Sequence, residues 1–191
     1  MNKIKPKTPV LLAAQDTISL CLDELWSFHD KILRNKNRDS LHQMRIAAKN
    51  LRYNMDLFSQ FYSDSFQNHL KEMKKIQEYL GDIHDEDVQV DNLKKRIRSY
   101  IKQQSDQFKD IEKAIKKENI KTETVRSFRQ AVAETGYCGL VRLMQDQIAS
   151  RQKHYKAFVR YWKKLNKNKV YDSIIKIISF RDQIEKEKPV S

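Results

Sequence analysis

The hydrophobic pattern of residues 41–58 has a helical period. Drawn about 100° apart on a helical wheel, its apolar residues cluster on one arc: Met44, Leu51, Met55 and Phe58. The neighbouring arc, about 80° wide, carries four residues that are or can become cationic: His42, Arg45, Lys49 and Arg52. Such a row repels itself unless it is solvated, paired with carboxylates or faced by a polyanion.

Helical patterns continue along nearly the whole chain. Proline occurs only at Pro6, Pro9 and Pro189, glycine only at Gly81, Gly136 and Gly139, and no segment alternates like a strand. The sequence therefore predicts an all-α fold with about six to seven helices. The predicted helices are Thr8–Asn35, Arg38–Tyr62, Ser65–Asp82, Asp85–Asn119, Thr122–Thr135, Gly139–Asn166 and Tyr171–Lys186. Asp39 or Ser40 is expected to cap the second of them.

The segment Asp91–Lys117 differs from the other predicted helices in its polarity. It is rich in Lys, Gln and Glu, with thin apolar spacing at Ile97, Ile101, Phe108, Ile111 and Ile115. We therefore expect one long exposed helix there. No Gly-, Ser- or Pro-rich linker divides the chain, so we assign residues 8–166 to one helical bundle and residues 167–191 to a C-terminal helix and tail.

The chain is strongly basic. It has 191 residues, with 38 Lys plus Arg against 25 Asp plus Glu, and a net charge of +13. This charge predicts attraction to polyanions such as nucleic acid, polyphosphate or an acidic membrane. The two cysteines, Cys21 and Cys138, lack disulfide or metal spacing, and the apolar run Val10–Ala14 is too short for a signal or spanning segment. We expect a cytoplasmic protein without membrane insertion.

A second patterned segment, Leu70–Val88, combines an apolar stripe with lysines. Its stripe consists of Leu70, Met73, Ile76, Leu80 and Ile83. Three lysines lie beside the stripe, Lys71, Lys74 and Lys75, and the segment ends in a Leu80-Gly81 pair followed by Asp85, Asp87 and Val88.

Together the two segments resemble the CHAD domain, the conserved histidine α-helical domain. Its signature is a His-x-x-Arg-x-x-x-Lys-x-Leu-Arg helix, followed by a Lys-rich helix ending in Leu-Gly and aspartates. A third likeness is the basic segment Gly139–Trp162, so the resemblance covers about Thr8 to Leu165. It implies an antiparallel helical bundle of the CHAD type. Only one His-x-x-Arg helix is visible, whereas the family usually carries two related halves, so we expect a short single-unit member or a homodimer. His84 stands where the family often has Arg.

The resemblance implies non-catalytic binding of inorganic polyphosphate along basic helix faces. The expected binding residues are His42, Arg45, Lys49, Arg52, Lys71, Lys74, Lys75, Arg142, Arg151, Lys153, Lys156 and Arg160. Guanidinium forks bind two oxygens in a fixed plane, while lysines act as adaptable point charges. No resident cofactor or metal is expected, although Mg²⁺ or Ca²⁺ could bridge bound polyphosphate. Association with polyphosphate granules is a further expectation.

Several alternatives stay open on the sequence. RNA or DNA is the main rival ligand, and a scaffold that assembles through Asp91–Lys117 is another. An enzyme acting on polyphosphate as a phosphohydrolase or phosphotransferase would use the histidines, but no recognisable catalytic motif is present. Arg151 lies on the apolar side of its predicted helix, where it either lines a ligand channel or pairs with Asp85 or Asp87.

Overall fold

The structure is a computed structural model that describes residues 9–34, 37–118 and 138–186. These residues form five long helices and one short one, and they contain no strand. The long helices are α1 (Val10–Trp26), α3 (Arg38–Phe58), α4 (Asp64–Glu118), α5 (Cys138–Lys167) and α6 (Val170–Lys186), and the short one is α2 (His29–Arg34). A 3-10 turn, Ser59–Phe61, joins α3 to α4.

The predicted all-α class is confirmed, but the predicted count of six to seven helices is not matched by the five long helices of the described residues, since the short α2 lies within one predicted helix. The segments predicted as two helices, Ser65–Asp82 and Asp85–Asn119, are joined in the single helix α4 as far as Glu118, where this range of described residues ends. Gly81 costs a helix only about 1 kcal/mol, and the buried side chains of Leu80 and Ile83 on either side outweigh that cost. The predicted helix Thr122–Thr135 lies outside the described residues.

Two local contacts define where the first helices begin and end. The Ser27 hydroxyl donates to the Glu24 carbonyl oxygen over 2.7 Å, and this ends α1 within the predicted helix Thr8–Asn35. The side chain of Asn37 caps α3 by accepting a hydrogen bond from the Asp39 amide at 3.0 Å. Our expectation that Asp39 or Ser40 supplies the cap is wrong, because α3 begins at Arg38, so Asp39 and Ser40 already lie in its first turn and the preceding residue, Asn37, takes the extended cap conformation.

The described residues fall into two compact units. The first unit takes its residues from Met1–His84 and His154–Ser191, and the second from Asp85–Lys153, so α4 and α5 contribute to both. The first unit holds the main hydrophobic core. Helix α6, which we assigned to a separate C-terminal segment, places Val170, Ile174 and Ile178 in that core.

The core of the first unit is built from one stripe of each long helix. Its largest fully buried side chains include Ile18, Leu22, Met44, Leu51, Met55, Phe66, Met73, Ile76, Phe158 and Trp162. Each such side chain contributes about 1.5–3 kcal/mol by leaving water. The core therefore fixes how α1, α3 and the first part of α4 pack.

Hydrogen bonds from aromatic side chains join α5 to the start of the chain. The Tyr155 hydroxyl donates to the Ile32 carbonyl oxygen at 2.6 Å, and Trp162 Nε1 donates to His29 Nδ1 at 3.0 Å. Trp26 Nε1 donates to Asn166 Oδ1 at 3.1 Å. Buried Tyr and Trp side chains need such partners, so these bonds orient α5 in the first unit.

The second unit contains the polar part of α4. Val90 and Leu93 are buried there, while the side chains from Lys94 to Asp106 are half-buried or exposed. This agrees with the long exposed helix predicted over Asp91–Lys117. The side chains of Phe108, Ile111 and Ile115 lie outside those described. No helix in the described ranges is both long and apolar enough to cross a membrane.

Lys169, in the turn between α5 and α6, has a φ of 52°. A non-glycine residue in this left-handed region costs roughly 1–2 kcal/mol. We expect Lys169→Gly to raise the free energy of unfolding by about 1 kcal/mol, measured by urea denaturation. The matched control is Asn168→Gly, because Asn168 does not have a positive φ and should gain nothing. A Lys169→Gly variant no more stable than Asn168→Gly would contradict the prediction.

Candidate anion-binding surface

The cationic row predicted on α3 lies on the flank of that helix that faces α4. His42, Arg45 and Arg52 are half-buried and Lys49 is exposed. The ring centroids of His42 and His84 are 4.9 Å apart, which places α4 next to the row. The opposite flank of α3 faces α1.

Two contacts set the register between α3 and α4, which run antiparallel. At one end His42 meets His84, and at the other Gln67 Nε2 donates to the Ser59 carbonyl oxygen at 3.3 Å. The two residue numbers add up to the same value in both contacts. Because both helices rise about 1.5 Å per residue, the same register applies to the residues that lie between these two contacts. It places Arg45 opposite Gly81, Lys49 opposite Gln77, and Arg52 opposite Lys74.

We call these eight positions the α3–α4 groove. The groove comprises His42, Arg45, Lys49 and Arg52 on α3, with Lys74, Gln77, Gly81 and His84 on α4. Its row on α3 is about 15 Å long, at 1.5 Å per residue. Gln77, Gly81 and His84 were not predicted as site residues. Their spacing on α4 matches that of the α3 row, but this match identifies them only once the register of the two helices is known.

Three buried polar atoms in the α3–α4 groove have no hydrogen-bond partner within the described part of the chain. They are His42 Nδ1, Arg52 Nε and Gln77 Oε1. Over the same residues, Arg45, Lys49 and Arg52 make no ion pair. Buried polar groups in folded proteins are nearly always satisfied by protein, water or a ligand. Arg52 Nε is a donor, Gln77 Oε1 is an acceptor, and His42 Nδ1 is one or the other according to its tautomer. The groove therefore offers one uncompensated buried guanidinium donor beside positive charge.

Gly81 leaves open space in the α3–α4 groove. A Cβ atom added to Gly81 would meet no atom within 4 Å. Opposite it, Arg45 is half-buried and unpaired. The glycine is therefore not required by close helix packing, and its effect is to leave room beside the cationic row.

Tyr53 supports the cationic row from its exposed side. The guanidinium carbon of Arg52 lies 4.1 Å from the Tyr53 ring centroid, and Lys49 Nζ lies 5.8 Å from it. Cation–π contacts of this kind contribute about 0.5–1 kcal/mol at exposed sites. They limit the orientations of Arg52, whose planar guanidinium suits stacking.

The three lysines predicted as a second row on α4 do not share one face. Lys71, Lys74 and Lys75 span about 100° of the helix. Lys74 lies in the α3–α4 groove, whereas Lys75 Nζ is 5.2 Å from the ring of Tyr161 on α5. Lys71 is exposed between them.

In the first unit α5 runs antiparallel to α4. The Tyr161 ring lies 5.5 Å from Tyr79 and also contacts Lys75, while Ser173, in the next helix, bonds His69 at 2.9 Å. The predicted residues Lys156 and Arg160 are exposed. Because α5 runs antiparallel to α4, they lie at the same height along the bundle as the acidic residues Glu78 and Asp82 of α4. The exposed lysines level with Lys71, Lys74 and Lys75 are instead Lys163, Lys164 and Lys167.

Tyr161 adds no negative charge to these lysines. Burial, together with the charges of Glu72, Tyr79 and Glu78, raises the pKa of Tyr161 to about 12. Its hydroxyl is therefore protonated over the physiological pH range. Its ring is a neutral face for the Lys75 ammonium group.

The remaining predicted residues, Arg142, Arg151 and Lys153, belong to the second unit. Arg142 and Lys153 are exposed. Arg151 is mostly buried, with Nε 2.7 Å from Asp87 Oδ1 and a second bond of 3.3 Å to the other carboxylate oxygen. Of the two roles that the sequence left open for Arg151, the ion pair with Asp87 is the one observed. Its charge is compensated, unlike those of the α3 row.

Comparison with known families finds one match. The model of the CHAD domain family matches residues 6–94, just under half of the 191-residue chain. The resemblance to the CHAD domain is thereby confirmed over α1, α2, α3 and the first part of α4, which contain the whole α3–α4 groove. The likeness suggested for Gly139–Trp162 lies outside this match. Comparisons with curated proteins and with solved structures gave no match.

The open space at Gly81 leads to a stability prediction. Because no atom obstructs a Cβ and glycine in a helix interior loses about 0.5–1 kcal/mol relative to alanine, Gly81→Ala should stabilise the protein by that amount. Urea denaturation measures it. Gly139→Ala is the control, because Gly139 is equally unobstructed but lies in the first turn of α5, where the gain should be smaller. Destabilisation by Gly81→Ala would show that the glycine is needed for packing.

Proposed function

We propose that the protein binds inorganic polyphosphate along the α3–α4 groove, without catalysing a reaction on it. The observation that carries this proposal is the row of Arg45, Lys49 and Arg52. Within the described ranges no carboxylate pairs with these residues, and Arg52 Nε is buried and unsatisfied. The groove lies in the segment that matches the CHAD domain, and a polyphosphate-related function is consistent with that family.

The spacing of the row suits a linear chain of phosphates. Its residues follow one another at intervals of three or four positions, so each is displaced by about 4.5–6 Å along the helix from the one before it. Arg45 and Arg52 would each offer two donors to one phosphate, with Lys49 between them as an adaptable charge. Lys74 would face the same ligand from α4. Lys71 and Lys75 could extend the contact beyond the groove.

Nucleic acid is the second candidate ligand, and one feature argues against it. Sequence-tolerant binding of single strands uses exposed aromatic rings on which bases stack. The exposed aromatic residue beside the groove is Tyr53, and the Arg52 guanidinium already lies against its ring at 4.1 Å. The groove therefore favours phosphates over bases.

The central test replaces two guanidinium groups. Arg45→Ala/Arg52→Ala should weaken binding of long-chain polyphosphate by about 100-fold or more at physiological salt, since each charged hydrogen bond contributes about 1.5–3 kcal/mol and about 1.4 kcal/mol corresponds to a factor of ten. The control is Arg96→Ala/Arg98→Ala, which removes the same charge from exposed positions in the second unit. Binding would be measured by displacement of labelled polyphosphate with unlabelled polyphosphate, tRNA, duplex DNA and ATP.

The outcomes of this test separate a dedicated site from general attraction. Loss in the Arg45/Arg52 variant alone, with displacement only by polyphosphate, would support the proposal. Equal loss in both double variants, or equal displacement by tRNA, would contradict it. The affinity should also fall steeply with salt, because the ligand releases counterions as it binds.

A further inference from the structure

Helix α3 carries a second apolar stripe, and this one faces solvent. Ile46, Tyr53 and Leu57 are 37%, 50% and 66% exposed. With Asn50 they follow the spacing of one helix face. Three large apolar side chains aligned on an exposed face differ from scattered surface residues, which are common and need no explanation.

A neighbouring helix also exposes an apolar side chain. Leu20 of α1 is 54% exposed. It precedes Cys21, whose Sγ lies 3.5 Å from Asn54 Nδ2 on α3. Leu57 follows Asn54 by one helical turn, so one exposed leucine on each helix lies within a turn of this contact. The first unit therefore exposes apolar side chains on both α1 and α3 near this point.

The order of side chains around α3 is unusual for a soluble helix. The buried stripe is followed by the cationic row, and the exposed apolar stripe begins about 20° beyond His42. The exposed stripe and the cationic row thus form one continuous outer face. A polyphosphate chain would contact only the row and would leave Ile46, Leu57 and Leu20 in water.

We propose that this outer face of α3 adsorbs to the surface of an anionic phospholipid membrane. Ile46, Leu57 and Leu20 would enter the boundary between headgroups and acyl chains, and Tyr53 would lie at the headgroup level, where aromatic rings are enriched. Arg45, Lys49 and Arg52 would bind lipid phosphates, each contributing about 1 kcal/mol near an anionic surface. This proposal does not require polyphosphate to be a ligand.

A second copy of the chain is a less suitable occupant of the same face. A two-fold dimer through the exposed stripe would bring the same surface of both copies together. The unpaired cations of the two α3 rows would then lie near each other and repel. An anionic surface has the complementary charge.

Vesicle sedimentation tests the proposal. The intact protein is mixed with phosphatidylcholine vesicles with and without phosphatidylglycerol, and the bound fraction is measured. The test variant is Ile46→Ser/Leu57→Ser, and the control is Leu143→Ser, which changes an exposed leucine (47%) of the second unit. Circular dichroism checks that each variant is folded, as expected for exposed positions.

We expect binding to the phosphatidylglycerol vesicles to fall about tenfold or more in Ile46→Ser/Leu57→Ser. Leu143→Ser should bind as the wild type does. Polyphosphate binding by Ile46→Ser/Leu57→Ser should be unchanged, because the cationic row is intact. A wild-type protein that bound the anionic vesicles but not polyphosphate would therefore contradict the proposed function and leave the membrane proposal intact.

Three results would overturn the membrane proposal. The wild type could fail to bind the anionic vesicles at physiological salt. Binding could be equal in the wild type and Ile46→Ser/Leu57→Ser, which would mean adsorption by charge alone. Sedimentation equilibrium could instead show a dimer that only Ile46→Ser/Leu57→Ser abolishes, with vesicle binding unaffected, which would assign the stripe to self-association.

Discussion

The packing of α3 against α4 is the constraint on which the rest of the first unit depends. Burying Met44, Leu51 and Met55 fixes the rotation of α3 about its axis. That rotation places Arg45 and Arg52 on the flank beside α4, where both are half-buried and where neither forms an ion pair with another residue that the structure describes. Hydrophobic burial of about 1.5–3 kcal/mol per side chain thus holds together like charges that would otherwise separate. An anionic ligand would relieve a repulsion that the core imposes.

Helix α4 has a charge gradient along its exposed face in the first unit. Its first turns carry Lys71, Lys74 and Lys75, and the next exposed turns carry Glu78 and Asp82. Lys74 adds to the α3–α4 groove at the end nearest the hairpin turn. Positive charge is therefore concentrated at the Arg52 end of the groove, away from His42. A polyanion that enters the groove would make its strongest contacts at that end.

The cationic row could be predicted from the sequence, because the row and the buried apolar stripe lie on the same helix. Their relative position therefore follows from the helical period alone. The register with α4 could not be predicted, because it depends on the turn at Ser59–Phe61 and on how two helices fit together. Gln77 and Gly81 were missed for that reason. The pairing of Arg151 with Asp87 was foreseen only as an alternative, since a helical wheel shows which side a residue takes but not its partner. Likewise, α4 continues through Gly81 because the side chains of Leu80 and Ile83 on either side of it are buried, and the sequence alone does not show that burial.

Tyr53 connects the two ligands that we propose for α3. Its ring supports the Arg52 guanidinium at 4.1 Å while half of its surface is exposed in the second apolar stripe. A membrane that covered Tyr53 and Leu57 would also draw Arg52 toward lipid phosphate. The same guanidinium would then be withdrawn from a polyphosphate in the α3–α4 groove. Because one cation cannot satisfy both partners fully, the two ligands should be antagonistic, and each should lower the affinity of the protein for the other by the same factor.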